Sequence, residues 1–206
     1  MKNSEYGTAI NWHYITVSLI FAVTILLMVL YMPNLKEFDS AFLKTLQSSY
    51  LPIFQFVPGF INEMGRYYYA WPLIVSGGIL ISHKYFVEAF LLVFFTQASY
   101  PIKNLIKDIV CRQRPCGDIY PGYSFPSGHS LTAMCFYGIL IYFVYKHVYG
   151  FWKYVLITLL GFLILLTGIS RLWLGVHFPT DVLEGFLLGI MLVNLCIILD
   201  KFFCRR

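Results

Sequence analysis

The chain has 206 residues, 59% hydrophobic and only 12% charged, against roughly 25% charged residues in soluble domains. Its formal charge of +5 is modest and argues against a nucleic-acid partner. Uncharged runs over residues 6–35, 119–145 and 154–170 exclude an ordinary soluble globule and point to a polytopic α-helical membrane protein, because about 20 mostly apolar residues carry a helix across a bilayer core.

The first expected span covers residues 12–31. Its apolar run is longer than a signal-peptide core and ends in Leu30-Tyr31-Met32-Pro33, without a small-residue cleavage site, so it reads as a retained span. Residues 32–66 follow as an interfacial helical segment. There Phe38, Phe42 and Leu46 recur opposite Lys36 and Lys44, a pattern that suits a helix lying in the headgroup layer or one packed against the bundle. Pro52 and Pro58 break that segment. Five further spans are expected over residues 67–82, 85–102, 127–145, 151–169 and 180–199. Aromatic residues at their borders (Tyr67 to Tyr69, Trp71, Tyr149, Trp152 and Trp173) favour the headgroup layer. The whole chain, 1–206, reads as a single domain of six transmembrane helices.

An even number of spans places both termini on one side, and the basic tail, Lys201 with Arg205 and Arg206, assigns them to the cytoplasm. The five cysteines are an odd set, which excludes a complete disulfide framework. Cys135 and Cys196 sit in apolar runs as small hydrophobes. Cys111 and Cys116 bracket a basic loop, where pairing depends on the compartment it faces.

Three polar clusters interrupt the apolar chain: Lys107 to Pro115, Pro126 to His129, and Ser170-Arg171 followed by His177 and Asp181. With six spans, the first ends span three, the second begins span four, and the third bridges spans five and six. All three reach one membrane face. Lys107, Arg114 and Arg171 repel one another unless an anion lies between them, and the planar arginine fork matches phosphate oxygens. Ser127 stands where a helix cap belongs and Gly128 admits a ligand close to the backbone, so free N–H groups form an anion cradle. Asp181 can hold one nitrogen of His177 and leave the other free to attack. His129 is then the general acid, its ordinary pKa near 6.5 suited to proton transfer at neutral pH.

Lys107/Arg114/Pro115, Pro126/Ser127/Gly128/His129 and Ser170/Arg171/His177/Asp181 resemble the motifs of the type 2 phosphatidic acid phosphatase superfamily, which also includes the vanadium haloperoxidases. That resemblance implies a shared helical core and a phosphohistidine mechanism. His177 would be the nucleophile, His129 the proton donor and Asp181 the orienting carboxylate, with Lys107, Arg114, Ser127, Gly128 and Arg171 holding the phosphoryl oxygens. It implies no metal and no cofactor. The expected partners are a lipid phosphate and the bilayer; the expected location is the cell (cytoplasmic) membrane, with the site on the periplasmic or extracellular side. Among substrates undecaprenyl pyrophosphate is favoured, with phosphatidylglycerophosphate and phosphatidate close behind and the lipid A 1-phosphate group an alternative. The same motif serves a lipid phosphotransferase. A transporter would instead carry charges along its span midplanes, whereas here they gather at span ends.

The remaining polar residues have plainer readings. His13, His83 and His147 read as polar surface, Arg112 and Lys103 as solvated or headgroup-facing, and Asp108 as the partner of a nearby base. Glu184 reads as a neighbour of Asp181. Pro121-Gly122 reads as a turn.

Overall fold

The computed structural model describes residues 12–48, 70–117 and 120–204. Among them the chain is helical, without strands, in six elements: α1 Trp12–Ser48, α2 Ala70–Ser82, α3 Phe86–Val110, α4 Gly128–His147, α5 Phe151–Trp173 and α6 Pro179–Phe203. Three of these, α4, α5 and α6, are long and apolar enough to cross a membrane. α2, at 13 residues, is a shorter apolar helix.

The expected interfacial segment departs from its sequence reading. Residues 32–48 continue α1 without a break, so Pro33 does not end the first helix. Proline removes one backbone donor and crowds the preceding turn, and tertiary contacts further along α1 hold the helix together across it. At 37 residues and 1.5 Å per residue, α1 is about 55 Å long, more than a hydrocarbon core of about 30 Å. Its distal part leaves Phe38 and Phe42 exposed on one side and buries Asp39 and Leu43 on the other. Leu43 packs with Leu172 and Val182, so this part of α1 lies against α5 and α6. Pro52, Pro58 and the expected start of span two at Tyr67 lie outside the described residues.

α4 is the centre of the bundle, packed by α6, α5 and α3, with α2 reaching it through α3. Leu91, Leu92, Leu131, Phe136, Ile139, Leu188 and Leu192 form one contiguous core there. α4 and α6 approach closely because α6 offers glycines. A Cβ on Gly185 would come within 2.6 Å of the Ser127 carbonyl oxygen, and one on Gly189 within 2.6 Å of Met134 Cβ. The Gly185-Phe-Leu-Leu-Gly189 spacing is the small-residue pattern that lets helices meet in a membrane.

The two ends of the bundle differ. At one end, exposed Tyr145, Tyr149, Phe151, Trp152, Phe202 and Phe203 crowd the α4–α5 turn and the end of α6, as interfacial aromatics do. A polar knot lies beneath them. Lys146 Nζ donates to Glu88 Oε1 at 2.6 Å and Asp200 Oδ2 at 2.7 Å, tying α3, α4 and α6. His147 is not plain surface: its Nε2 lies 2.9 Å from Glu88 Oε1 and its ring stacks on Tyr85. His83 is exposed. The other end collects the three polar clusters.

Candidate active site

Each polar cluster reaches this end through a specific helix terminus. α3 stops where Cys111 takes a left-handed conformation (φ 52°) and its N–H closes on the Lys107 carbonyl. The chain then turns back through Arg112 and Arg114. α4 begins at Ser127, whose Oγ caps the Ser130 N–H at 3.5 Å and accepts the Ser130 hydroxyl at 2.9 Å. α5 ends beyond Arg171; Gly175 takes a positive φ of 65° and returns the chain to Val176 and His177. α6 starts with Pro179 at its first turn and Asp181 reaching back to cap the Phe178 N–H at 2.8 Å. The Ser127 N–H donates to the Asp181 carbonyl at 2.9 Å, locking the starts of α4 and α6 together.

His177 lies before α6 rather than within it. Asp181 therefore serves both the Phe178 N–H and the imidazole, whose Nδ1 sits 3.5 Å from Asp181 Oδ2. That separation is an ion-pair approach, longer than a good hydrogen bond. The opposite nitrogen, Nε2, faces Arg114 Nη1 at 3.4 Å. His177 is buried, and burial pushes its pKa down to about 4, with Asp181 acting in the opposite direction and the Arg114 and Lys107 charges adding to the fall. The ring is therefore neutral near pH 7, with Asp181 facing one nitrogen and the lone pair of the other turned toward the Arg114 guanidinium, which donates to it.

Neutral groups hold the cations in place. Arg114 donates from Nε to the Gly122 carbonyl at 3.0 Å and from Nη1 to the Val176 carbonyl at 3.0 Å. Lys107 Nζ donates to the Tyr123 carbonyl. Arg171 is buried, with Nε bonded to Ser170 Oγ at 3.1 Å. His129, on the first turn of α4, has Arg171, Lys103 and Arg114 as its charged neighbours and the His177 ring nearby. Four cations, two imidazoles and the N-terminus of α4 thus gather at one end of the bundle. The described residues bring together all eight positions singled out from sequence: His177, His129, Asp181, Lys107, Arg114, Ser127, Gly128 and Arg171.

Two residues read as solvated are not. Arg112 bridges buried carboxylates: Nη2 lies 2.5 Å from Asp39 Oδ2, and Nη1 lies 2.7 Å from both Asp181 Oδ1 and Thr180 Oγ1. The guanidinium also covers the Phe178 ring, 4.2 Å from its centroid. Asp39 escaped the sequence reading altogether. It is fully buried and accepts the Thr180 N–H at 3.1 Å and hydroxyl at 2.5 Å. The available signal was an acid on the α1 face that also carries Leu43. Lys103, the second correction, bends over Gly128 instead of pointing to solvent: a Cβ on that glycine would lie 2.8 Å from Lys103 Cδ.

Asp108 is exposed and has no ion pair among the described residues. Glu184 is fully buried, yet neither carboxylate oxygen has a hydrogen-bond partner among the described residues, so it does not bond Asp181. Cys111 and Cys116 are free.

A cavity of about 580 Å³ opens from His129 between α2, α3 and the start of α4. Lys103, Arg114, Gly128 and His129 line it together with Thr96, Gln97, Leu73 and Ala70.

The profile of the PAP2 superfamily matches residues 88–203. Phosphatidylglycerophosphatase B of Bacillus subtilis (strain 168) is 35% identical over 140 residues, covering 64% of this chain and 68% of that protein. Among solved structures, the transmembrane PAP2 type phosphatidylglycerolphosphate phosphatase from Bacillus subtilis superposes with a TM-score of 0.77 at 29% identity, over 92% of this chain and 96% of that one. Aquifex aeolicus LpxE, at 20% identity, shares the fold with a TM-score of 0.63, over 78% of this chain and 94% of that one.

Proposed function

The chain belongs to the PAP2 superfamily, and on that footing we propose that it is a multi-pass membrane lipid phosphatase working through a phosphohistidine at His177. The observation that carries this reading is the buried neutral imidazole whose Nε2 faces Arg114 at 3.4 Å while Asp181 faces Nδ1. His177 Nε2 attacks phosphorus, forming a P–N bond as the P–O bond to the lipid breaks. His129 gives its proton to the leaving oxygen. Lys107, Arg114, Arg171, the Ser127 hydroxyl and the Gly128 N–H spread over the phosphoryl oxygens, where preorganised donors stabilise developing charge. Water then attacks phosphorus, His129 takes its proton, and the P–N bond breaks to release phosphate and restore both imidazoles.

The cationic side chains supply the charge neutralisation, so turnover proceeds without a metal ion. Polyprenyl pyrophosphate and phosphatidylglycerophosphate are the leading substrates; the phosphatidylglycerophosphatase relative supports the second. The chain makes six passes with cytoplasmic termini, and the site faces outward from the cytoplasmic membrane.

Purified protein is expected to release inorganic phosphate from these lipids with EDTA present, and His177→Ala to abolish release. Strict dependence on added metal, or near-normal turnover by His177→Ala, overturns the mechanism. On intact cells the phosphate should appear outside; release only after lysis overturns the orientation.

A further inference from the structure

Lys103 lies outside the eight residues assigned to the phosphoryl group, yet it is placed as deliberately as any of them. It sits one helical turn before Lys107, so the two ammonium groups share the face of α3 that looks toward α4. Its stem covers Gly128, with Cδ 2.8 Å and Nζ 3.2 Å from where a Cβ would stand. Its Nζ lies 4.3 Å from the centroid of the Tyr100 ring. No carboxylate among the described residues pairs with it. Lys103 is therefore held by packing and an aromatic face, with its charge left for something that enters the cavity.

The cavity indicates what enters. It is lined by Lys103, Arg114 and His129 but by neither His177 nor Arg171. Phosphoryl transfer places attacking and leaving groups roughly in line on opposite sides of phosphorus. With His177 as nucleophile, the leaving group departs on the His129 side, into this cavity. Arg114 also reaches the attacking nitrogen, at 3.4 Å, whereas Lys103, over Gly128 and beside His129, meets the leaving group.

Charge leads to the same conclusion. Arg112 is neutralised by Asp39 and Asp181, whereas Lys103, Lys107 and Arg114 have no carboxylate in ion-pair contact among the described residues. A phosphomonoester carries at most two negative charges, and a leaving group with its own phosphate adds at least one more.

We propose that Lys103 forms an anionic leaving-group subsite, selecting lipids whose departing portion carries a second phosphate. The inference rests on the phosphatase reading above and narrows its substrate class. Two sources share this chemistry: a lipid diphosphate, whose leaving group is a lipid monophosphate, and a phosphomonoester whose leaving alcohol contains a phosphodiester.

The experiment compares kcat/KM for matched pairs, polyprenyl diphosphate against polyprenyl monophosphate and phosphatidylglycerophosphate against phosphatidate, in wild type, Lys103→Met and Lys103→Arg. Methionine keeps the stem over Gly128 without the charge. The expected result is a fall of about tenfold or more in at least one of the two ratios for Lys103→Met, the scale of one charged hydrogen bond, with recovery in Lys103→Arg. The pair that responds identifies the source. Both ratios unchanged within about twofold overturn the subsite, even if absolute rates drop, because Lys103 would then serve the reacting phosphate or the fold. If Lys103→Met does not fold, Lys103→Gln carries the same test. Wild-type protein that releases no phosphate from any of the four lipids overturns the phosphatase reading itself, a result distinct from unchanged ratios in an active enzyme.

Discussion

The nucleophilic role proposed for His177 depends on the depth at which it sits. An exposed imidazole near pH 6.5 is half protonated and loses its lone pair in mild acid. Burial moves this ring down to about 4, against the pull of Asp181 and with the help of the Arg114 and Lys107 charges. A histidine with a lowered pKa is neutral, and able to attack, at every pH above that value. The acidic limb of kcat/KM assigned to His177, which reports the free enzyme, should therefore fall through about pH 4. A pH–rate profile checks it; a limb centred near 6.5 would mean that the ring is hydrated in the working enzyme. At this scale the sequence was legible where spacing was local, as with His177 and Asp181, and in the Pro126-Ser127-Gly128-His129 run. It was misread at Arg112 and Lys103. Both stand beside residues of the motif, and no local pattern separates a guanidinium that reaches a carboxylate from one that reaches water.

Among the helices, the contact between α4 and α6 sets how the Ser127 and Asp181 backbones meet. Gly185 places α6 against the Ser127 carbonyl, the Ser130 side chain and the Leu131 N–H; a Cβ there would approach them at 2.6, 2.9 and 3.0 Å. Backbone atoms at the first turn of a helix cannot swing aside as a side chain can. Gly185→Ala is expected to cost about 1–3 kcal/mol, the usual range for overpacking. It should also lower kcat by displacing the cradle from Asp181. Thermal unfolding in detergent together with kinetics checks this, and unchanged values for both would show that the helices separate freely. Gly128 makes a useful contrast, because the atoms its Cβ would meet belong to the flexible Lys103 side chain. Helix existence was readable from uncharged runs, but the extent of α1 was not. Pro33 is a breaker by local rules, and the contacts that outweigh it, through Asp39 and Leu43, come from residues more than a hundred positions away.

Across the whole molecule, Arg112 joins three distant segments: α1 through Asp39, its own loop, and the start of α6 through Asp181 and Thr180. Removing one partner of a buried ion pair leaves uncompensated charge and costs about 3–5 kcal/mol. Arg112→Ala strands two such carboxylates, and α1 should loosen from α6 as its melting temperature falls. Hydrogen exchange in detergent would register that loosening as faster exchange around Asp39 and Thr180; protection equal to wild type there would show that the arginine is not the tie.

What the sequence alone determined follows from local physics. Uncharged runs must leave water, so the class was membrane-helical. Helices that alternate direction bring three polar clusters to one face, and the residue types in those clusters specify phosphate chemistry. The tertiary structure decided what depends on distance between remote side chains. It made an acid in α1 the anchor of Arg112, folded Lys103 over the cradle and opened a cavity on the His129 side, because packing and charge pairing act through space and leave no periodic trace along the chain.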